Sequence, residues 1–486
     1  MPVTEPGLLE GGSFALRSSD YRRLADRLDL AVRRARRSGH PVLGSITVSL
    51  PAQVDPSSVV ASSRRPGEPW FCLEQPERGG RALAGLGGAI CLEGRGRDRF
   101  TMLAKRWRNL SGSAVQDARE GPQGAGLIAM GGFAFAPDGG ASPQWAGFDP
   151  ASLVVPEVSI ARGEVRGQRT VSLTLSAVMS PDDTPGHTLA KLERRLGELE
   201  MGSLGILDPA PTGRFHISST MPPEHYEAAV ARAVELIRSS ELHKIVLARE
   251  VQVHAPCAYD PASIFGVLRE AFPSCFVFCV GRGSSTLVAA SPELLLRREG
   301  SRVSTLALAG STRRSADPAV DDYLGERLLR SEKDREEQAI VTRRIERTLN
   351  PHALWVTSTP EPTLVKVANI QHLATPIRAQ LTRPLEAIEL LELMHPTPAL
   401  GGEPTDRALE LIPALEGLDR GWYAGPVGWT DSTGDGEFCV ALRCALLREQ
   451  VAHCYAGVGV VRDSDPPSEL AETEIKLAAL LPLLSG

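Results

Sequence analysis

The chain has 486 residues, of which 42% are hydrophobic and 23% charged, and its formal net charge is −6. This length and apolar content can bury a large core, as one big domain or two to three smaller ones. The negative charge gives no electrostatic reason to expect a nucleic-acid partner.

The N-terminus and the cysteines bear on where the protein works. Met1–Gly12 lacks the basic start and apolar run of a signal peptide, and no apolar stretch reaches membrane-spanning length. The eight cysteines include no Cys-x-x-Cys pair, so they are interpreted as reduced core residues. We therefore expect a soluble cytoplasmic protein with no membrane partner.

The first half of the chain is predicted to be rich in β-sheet. A helix over Asp20–Arg37 ends in a basic cluster, which is typical of a solvated helix C-terminus. Short apolar runs then predict strands at Val42–Leu50, Gly126–Phe135 and Val171–Leu175. The Pro- and Gly-bearing segment Asp208–Gly213 is the best boundary, and it divides an N-terminal half, 1–213, from a catalytic region, 214–486.

The second half mixes helices and strands. Helices are predicted to open at Pro222-Pro223, to span Pro318–Leu349, and to begin at Pro466-Pro467 with Ser468 as the N-cap. The predicted strands are His243–Val251, Cys275–Val280, Thr286–Ala290, Val303–Leu308, Gly425–Thr430, Glu437–Leu447 and Val451–Val461. Antiparallel strands mixed with helices favour an α+β fold over a wound parallel sheet.

Two polar residues beside apolar strands are candidates for acid–base chemistry. Lys244 shares a strand face with Val246 and Ala248, and a lysine removed from water can serve as a general base. The alternative is a strand-end lysine that reaches solvent. Glu293 lies between two apolar runs, where a carboxyl group can be held protonated as a general acid or can serve only as a turn residue.

Glu337 is predicted to face the interior from the helix Pro318–Leu349. At about 100° per residue its direction lies close to those of Ile340 and Val341, so an inward carboxylate needs a cation. The neighbouring acidic residues are assigned to the solvated face; they are Glu332, Asp334 and Glu336.

Arg443 is the most specific signal found from pattern alone. In the predicted strand Glu437–Leu447 it shares a face with small residues, whereas Leu442 belongs to the bulky opposite face. Small residues leave room for a ligand, and arginine is a planar, permanently charged carboxylate binder. A buried structural ion pair is the alternative.

Three further residues complete the candidate set. Glu472 and Lys476 lie four apart on the last helix, which is also the spacing of an ordinary surface pair. His372 either contacts a ligand or holds a loop. Two carboxylates suit a hard divalent cation and two cations suit an anionic ligand, so the set describes a site for a small carboxylated molecule with a bound metal.

A series of short motifs resembles the chorismate-utilising enzymes, and within them the isochorismate synthase branch. The motifs follow the family's order from about Glu224 onward. They are Lys244-Ile-Val-Leu-Ala-Arg249, Ser291-Pro-Glu-Leu-Leu-Leu-Arg297, Leu308-Ala-Gly-Ser-Thr-Arg-Arg314, Ser331-Glu-Lys-Asp-Arg-Glu-Glu337, His372-Leu-Ala-Thr-Pro376, His395-Pro-Thr-Pro-Ala-Leu400, Ala441-Leu-Arg443, Ala456-Gly457 and Glu472-Thr-Glu-Ile-Lys476. The first half resembles the family less specifically.

The resemblance implies a large single-domain α/β/β/α sandwich of two mainly antiparallel sheets with helices outside. It also implies Mg²⁺-dependent conversion of chorismate to isochorismate. By position, Lys244 is the base that activates water and Glu293 the acid that protonates the leaving hydroxyl. Glu337 and Glu472 are the implied Mg²⁺ ligands, and Glu469 helps through a metal-bound water.

The resemblance also assigns the substrate-binding residues. Arg443 and the Gly457 amide are expected to bind the pyruvyl carboxylate. Lys476 and the Gly310 amide assist at the anionic end of the ligand, and His372 belongs to the same set.

Two positions distinguish the branches of the family. Anthranilate synthases usually carry glutamine at the position of Lys244, and aminodeoxychorismate synthases usually carry lysine at the position of Ala309. The combination found here matches water addition, so no glutamine amidotransferase subunit is expected, and a monomer is the default. The alternatives are a salicylate synthase, which goes on to eliminate pyruvate, and a catalytically silent ligand-binding relative, which the intact acid–base and metal positions disfavour. The product is expected to feed menaquinone or catecholate siderophore synthesis.

Overall fold

The computed structural model describes residues 14–118, 120–208, 211–367 and 369–486. The strands in chain order are β1 Val42–Leu50, β2 Gly67–Gln75, β3 Arg81–Leu86, β4 Ile90–Gly94, β5 Ile128–Phe133, β6 Ala151–Val155, β7 Val158–Val165, β8 Gln168–Met179, β9 His216–Ser219, β10 Lys244–His254, β11 Phe276–Gly283, β12 Ser285–Ser291, β13 Leu294–Glu299, β14 Arg302–Arg313, β15 Ala353–Ser358, β16 Thr363–Lys366, β17 Ile370–Leu381, β18 Gly402–Glu403, β19 Pro426–Asp431, β20 Gly436–Val440, β21 Cys444–Arg448 and β22 Val451–Val460.

The α-helices are α1 Ser18–Ser38, α2 Pro56–Ser63, α3 Arg99–Ser113, α4 Pro185–Gly197, α5 Pro223–Arg238, α6 Pro261–Ala271, α7 Pro318–Arg330, α8 Glu332–Leu349, α9 Ala387–Met394, α10 Thr405–Glu416, α11 Pro466–Leu477 and α12 Leu481–Leu484. Within the described ranges, no helix combines the length and the apolar character needed to cross a membrane.

Several helices begin at an Asp-Pro pair, which is a local sequence signal. The aspartate carboxylate accepts hydrogen bonds from backbone N–H groups of the first turn, and the following proline occupies a position that needs no N–H donor. The capping residues are Asp55, Asp260, Asp317 and Asp465. Ser468 was therefore wrongly predicted as the cap of α11, because Asp465 caps it and accepts from the Ser468 N–H.

The strands form two large antiparallel sheets. Among the described residues, the first sheet has twelve strands, in the order β1-β8-β7-β3-β2-β11-β12-β21-β22-β10-β18 with β9 on β10. The second has ten, in the order β15-β17-β14-β13-β20-β19-β5-β6-β4 with β16 on β17. Gln75 of the first sheet contacts Glu437 of the second, and the main core cluster contains residues of both. This arrangement confirms the predicted two-sheet α+β fold.

Both sheets cross the predicted boundary at Asp208–Gly213. In the first sheet β2 pairs with β11, and in the second β5 pairs with β19. Strands from before and after the boundary therefore share one hydrogen-bond network in each sheet.

Two predicted elements were wrong because each is interrupted. The helix Pro318–Leu349 is two helices, since Ser331 has extended backbone angles and its hydroxyl accepts from the Asp334 N–H to start α8. The strand Glu437–Leu447 is also two elements, because β20 belongs to the second sheet and β21 to the first. Arg443 lies in the crossing between them, with φ +47°.

Candidate active site

The candidate site is a cavity between the sheets, where the chain crosses twice from one sheet to the other. Glu293 lies in the crossing from β12 to β13, and Arg443 lies in the crossing from β20 to β21. Two hydrogen bonds join the crossings: the Val440 N–H donates to the Glu293 carbonyl and the Ala290 N–H to the Arg443 carbonyl, both at 3.1 Å. Because the chain leaves the hydrogen-bond pattern of the sheets at both crossings, the side chains of Glu293 and Arg443 reach the same cavity.

Lys244 is the first residue of β10 and is fully buried. Its Nζ lies 2.8 Å from Glu337 Oε1, and the geometry is that of an ion pair rather than a hydrogen bond. Glu337 is therefore the counter-charge of the buried ammonium. Gly459 makes room for the pair, because a Cβ there would lie 2.1 Å from Glu337 Oε1. Burial rules out the alternative of a lysine that reaches solvent, and Glu337 faces inward as predicted.

Glu293 lines the cavity with only 3% of its surface exposed. Burial raises the pKa of its carboxyl group to about 8, against the opposing effect of the charges on Lys244, Arg443 and Lys476. A carboxyl group with this pKa is largely protonated at neutral pH and can donate a proton.

Arg443 is held by two successive hydrogen bonds through His372, which the sequence did not reveal. Its Nη2 lies 2.9 Å from His372 Nε2, and His372 Nδ1 lies 3.2 Å from the Gly310 carbonyl oxygen. Burial, followed by the charges of Arg443 and Lys476, lowers the pKa of His372 well below its usual value, so a neutral ring donates to Gly310 and accepts from Arg443.

The second terminal nitrogen of Arg443 is buried and has no hydrogen-bond partner within the described residues. No ion pair to a carboxylate is formed by Arg443 in that part of the chain, so the structure does not support the alternative of a structural ion pair. Leu442 also lines the cavity, contrary to its predicted place in the core on the opposite face. The break between β20 and β21 is the reason, because it ends the alternation of faces.

Glu472 and Lys476 project from α11 into the same cavity. Lys476 Nζ lies 2.8 Å from Glu472 Oε1 and donates to the Gly457 carbonyl at 2.9 Å, and the Ser311 hydroxyl donates to Glu472 at 2.6 Å. Burial alone would raise the pKa of Glu472, but Lys476 and Ser311 hold it below its usual value. The pair is therefore part of the site rather than an ordinary surface pair.

Gly310 and Gly457 are placed where a side chain would not fit. Gly310 has φ +70° in a bulge between β14 and β17, and a Cβ there would lie 3.0 Å from Asp334. At Gly457 a Cβ would lie 2.8 Å from the Tyr423 hydroxyl oxygen. Both glycines line the cavity, so their backbone is accessible to a ligand.

Glu469 lies outside the lining of the cavity. It is almost fully buried, and its Oε1 accepts from Lys333 Nζ at 2.7 Å.

The prediction that Asp334 lies on the solvated face was wrong. Asp334 is half-buried, and its carboxylate accepts a hydrogen bond from the Ser331 hydroxyl. Burial, followed by the charges of Glu337 and Glu472, raises the pKa of Asp334.

The predicted metal ligands fit a hard cation by donor type, since carboxylate oxygens are the ligands that Mg²⁺ prefers. Within the described ranges, no three or more acidic, histidine or cysteine side chains form a complete ligand set. Instead each carboxylate faces an ammonium group. The pairs are Glu337 with Lys244, Glu472 with Lys476, and Glu469 with Lys333.

Several lining residues were not predicted from the sequence. Tyr423 and Tyr455 stack on each other with ring centroids 5.3 Å apart, and Trp145 stacks on Tyr455. The Tyr455 hydroxyl is buried and without a hydrogen-bond partner within the described residues. The glycine-flanked aromatic segment Gly421–Gly425 was the available signal for Tyr423, since aromatic residues between glycines are unusual in a plain turn.

The chain is similar to known proteins along almost its whole length. The model of a family described as chorismate binding enzyme matches residues 30–485. The salicylate biosynthesis isochorismate synthase of Pseudomonas aeruginosa is 35% identical over 461 residues, which cover 94% of this chain and 93% of that protein. The isochorismate synthase MenF of Bacillus subtilis is 31% identical over 397 residues, covering 80% and 82%.

Solved structures share the fold. MenF, the menaquinone-specific isochorismate synthase from Escherichia coli, matches with a TM-score of 0.75 at 25% identity, over 94% of this chain and 100% of that chain. Anthranilate synthase component I from Streptococcus pneumoniae matches with a TM-score of 0.64 at 20% identity, over 82% and 91%. The second likeness is one of fold alone.

Proposed function

The chain belongs to the family of chorismate-binding enzymes, and within this family we propose that it is an isochorismate synthase. The proposal rests on Glu293, a buried carboxyl group whose pKa is raised by burial to about 8, and on the buried Lys244, whose partner Glu337 lines the same cavity as Glu293. Addition of water at ring carbon 2 and loss of the hydroxyl at carbon 4 requires one base and one acid, and this pair supplies both.

In the proposed mechanism the two residues move one proton each. Lys244, acting as the neutral amine, accepts a proton from the water whose oxygen bonds to carbon 2. The ring double bond shifts, and Glu293 protonates the 4-hydroxyl, which leaves as water. Lys244 ends protonated and Glu293 ionised, so proton exchange resets the pair. Water is consumed and released, which makes the reaction an isomerisation.

We propose that the two carboxylates of chorismate bind at separate places. Arg443 offers the guanidinium nitrogen that lacks a protein partner, and the backbone of Gly457 lies nearby in the cavity lining. A charge-assisted bond to a carboxylate would satisfy that nitrogen. His372 keeps Arg443 in place, while Lys476 and the Gly310 amide assist at the anionic end.

Mg²⁺ is part of the proposal, with Glu337 and Glu472 as ligands and Glu469 acting through water. The metal, when bound, neutralises and orients the ring carboxylate. Glu337 is also the present counter-charge of Lys244.

Salicylate formation is the second candidate, since one relative takes its name from salicylate biosynthesis. We favour release of isochorismate, for menaquinone or siderophore synthesis, by a cytoplasmic monomer. Water as the nucleophile needs no ammonia-supplying subunit, consistent with Lys244 and Ala309.

Product analysis tests the proposal. We expect purified protein with Mg²⁺ to convert chorismate to isochorismate, with little salicylate and no aminated product even at high ammonium concentration. Chromatography and a pyruvate assay measure the products. Stoichiometric pyruvate with salicylate would favour the second candidate.

The same assay in excess EDTA tests the metal. We expect activity to be lost and to return when Mg²⁺ is added in excess. Full activity in EDTA would contradict the metal proposal while leaving the assignment of the product intact.

A further inference from the structure

A second cleft opens between the sheets at the turn from β2 to β3. Its volume is about 500 Å³, within the range of small-molecule sites. Four arginines line it, two from the first sheet and its turn and two from the second sheet, and we call it the arginine cleft. They are Arg78, Arg81, Arg297 and Arg378.

Three of these arginines form no ion pair with a carboxylate among the described residues. Arg297 is paired with the buried Glu437, so its charge is compensated. Arg78, Arg81 and Arg378 form no ion pair and no side-chain hydrogen bond within the described part of the chain. Arg78 only lies over the ring of Phe276, at 5.3 Å from the ring centroid.

The cleft contains one opposing charge. Glu164 is its single carboxylate among the described lining residues, and it packs against Gly79 in the turn. Three guanidinium groups without an ion pair in the described part of the chain thus surround one concavity that holds a single carboxylate.

The electrostatics agree with the geometry. The positive charges of Arg297 and Arg81 act on the Arg78 guanidinium, and the carboxylate of Glu437 opposes them. A bound anion would offset the repulsion among the arginines.

We propose that the arginine cleft binds a small organic anion that carries two or more carboxylate or phosphate groups. Guanidinium groups are planar forks that bind either oxyanion with two parallel hydrogen bonds. Because Arg78 and Arg81 come from one sheet and Arg378 from the other, a ligand with two anionic ends can contact both walls. The hydroxyl of Ser304 offers a further donor in the lining.

The arginine cleft is separate from the candidate active site but shares its strands. Leu294 lines the cleft and directly follows Glu293. On β14, Leu306 lines the cleft and Leu308 the active-site cavity. The inference does not depend on the proposed reaction, and it is tested without chorismate.

Calorimetric titration of the full-length protein tests the proposal, with pyrophosphate, citrate and acetate as separate probes at constant ionic strength. Divalent cations are left out because two of the probes chelate them. We expect one saturable site for pyrophosphate, for citrate or for both, and none for acetate. Binding of pyrophosphate alone identifies a phosphate site, and binding of citrate alone a carboxylate site. No saturable binding, or equal binding of acetate, would overturn the proposal.

Variants locate the site. We expect the double variant Arg78→Ala, Arg378→Ala to weaken binding about tenfold or more. Both side chains are exposed, so the fold should be retained, which the thermal midpoint checks. The matched control is Arg37→Ala with Arg238→Ala, two exposed arginines elsewhere, and it should bind as the wild type does. Unchanged affinity in the cleft variant, or loss of binding in Arg443→Ala, would place the anion elsewhere and overturn the proposal.

Discussion

Glu293 owes its chemistry to burial rather than to a particular partner. Its carboxyl group lies where the chain leaves one sheet for the other, and burial raises its pKa from 4.5 to about 8 in the folded protein. Between these values the folded state keeps a proton that the unfolded chain has lost. The free energy of unfolding therefore falls as pH rises through this window, by up to about 1.4 kcal/mol per pH unit from this group.

The raised pKa of Glu293 predicts how the stability of the protein depends on pH. Glu293→Gln has no proton to lose, so we expect it to gain stability relative to the wild type as pH rises from about 4.5 to about 8. Above about pH 8 the difference should stay constant. Urea denaturation at stepped pH measures it, with the exposed Glu193→Gln as the control. Parallel stability curves for the wild type and Glu293→Gln would show that Glu293 ionises normally.

The acid–base assignment predicts variants that lose turnover while they still bind chorismate. Lys244→Ala removes the proposed base and Glu293→Gln the proposed acid, so we expect each to lower turnover by at least about 10²-fold. Chorismate should still bind to both, because Arg443 and Lys476 remain to contact its carboxylates. Single-turnover kinetics and an equilibrium titration measure the two quantities. Near-normal turnover with lost binding in Lys244→Ala would make Lys244 a substrate anchor instead.

The sequence identified most of the site at the scale of residues, but not how those residues are held. Glu293, Arg443 and Lys476 line one cavity, as the resemblance implied, and their chemical roles stay predictions. The contact of His372 with Arg443 was not predictable, because the two lie 71 residues apart and meet only through the pairing of different strands.

At the scale of elements, two failures of periodicity have the same physical cause. The helical pattern continues across Ser331 and the alternating pattern continues through Arg443, so neither shows a break. At Ser331 the break comes from a side-chain cap, which competes with helix continuation. At Arg443 it comes from a change of sheet, which local periodicity does not encode. Both breaks bear on the site, since one starts the helix of Glu337 and the other frees Arg443.

Strand β22 gives a prediction at this scale. Gly459 leaves the space that the Lys244–Glu337 pair fills, and a Cβ there would lie 2.1 Å from Glu337 Oε1 and 2.9 Å from Lys244 Cε. We expect Gly459→Ala to displace the pair, to lower turnover at least about tenfold and to cost about 1–3 kcal/mol of stability. Steady-state kinetics and chemical denaturation measure both.

The matched control is Gly112→Ala on α3, where an added Cβ meets no atom within 4 Å. It should keep wild-type turnover and be at least as stable as the wild type, since alanine favours a helix over glycine. Wild-type turnover in Gly459→Ala would mean that the position of the pair does not limit catalysis.

At the scale of the whole molecule, the two sheets make the halves of the chain interdependent. The boundary at Asp208–Gly213 was predicted from proline and glycine content, which marks a loop but does not report which strands pair. In the structure β2 pairs with β11 along Gly67–Glu74, and β5 pairs with β19. The fold class was predictable from the mixture of elements and the family resemblance, whereas these long-range pairings were not.

The interdependence predicts how the protein unfolds. A cut at the boundary would leave β2, β5, β11 and β19 with unpaired edges and expose the core between the sheets. We therefore expect residues 1–213 and 214–486, expressed separately, to be insoluble or to lack a cooperative unfolding transition, and the intact chain to show one main transition. Calorimetry and circular dichroism measure this, with co-expression of both halves as the control that restores the pairing. A soluble 214–486 fragment that unfolds cooperatively would show instead that the catalytic region is a domain in its own right, and that the first half only extends its sheets.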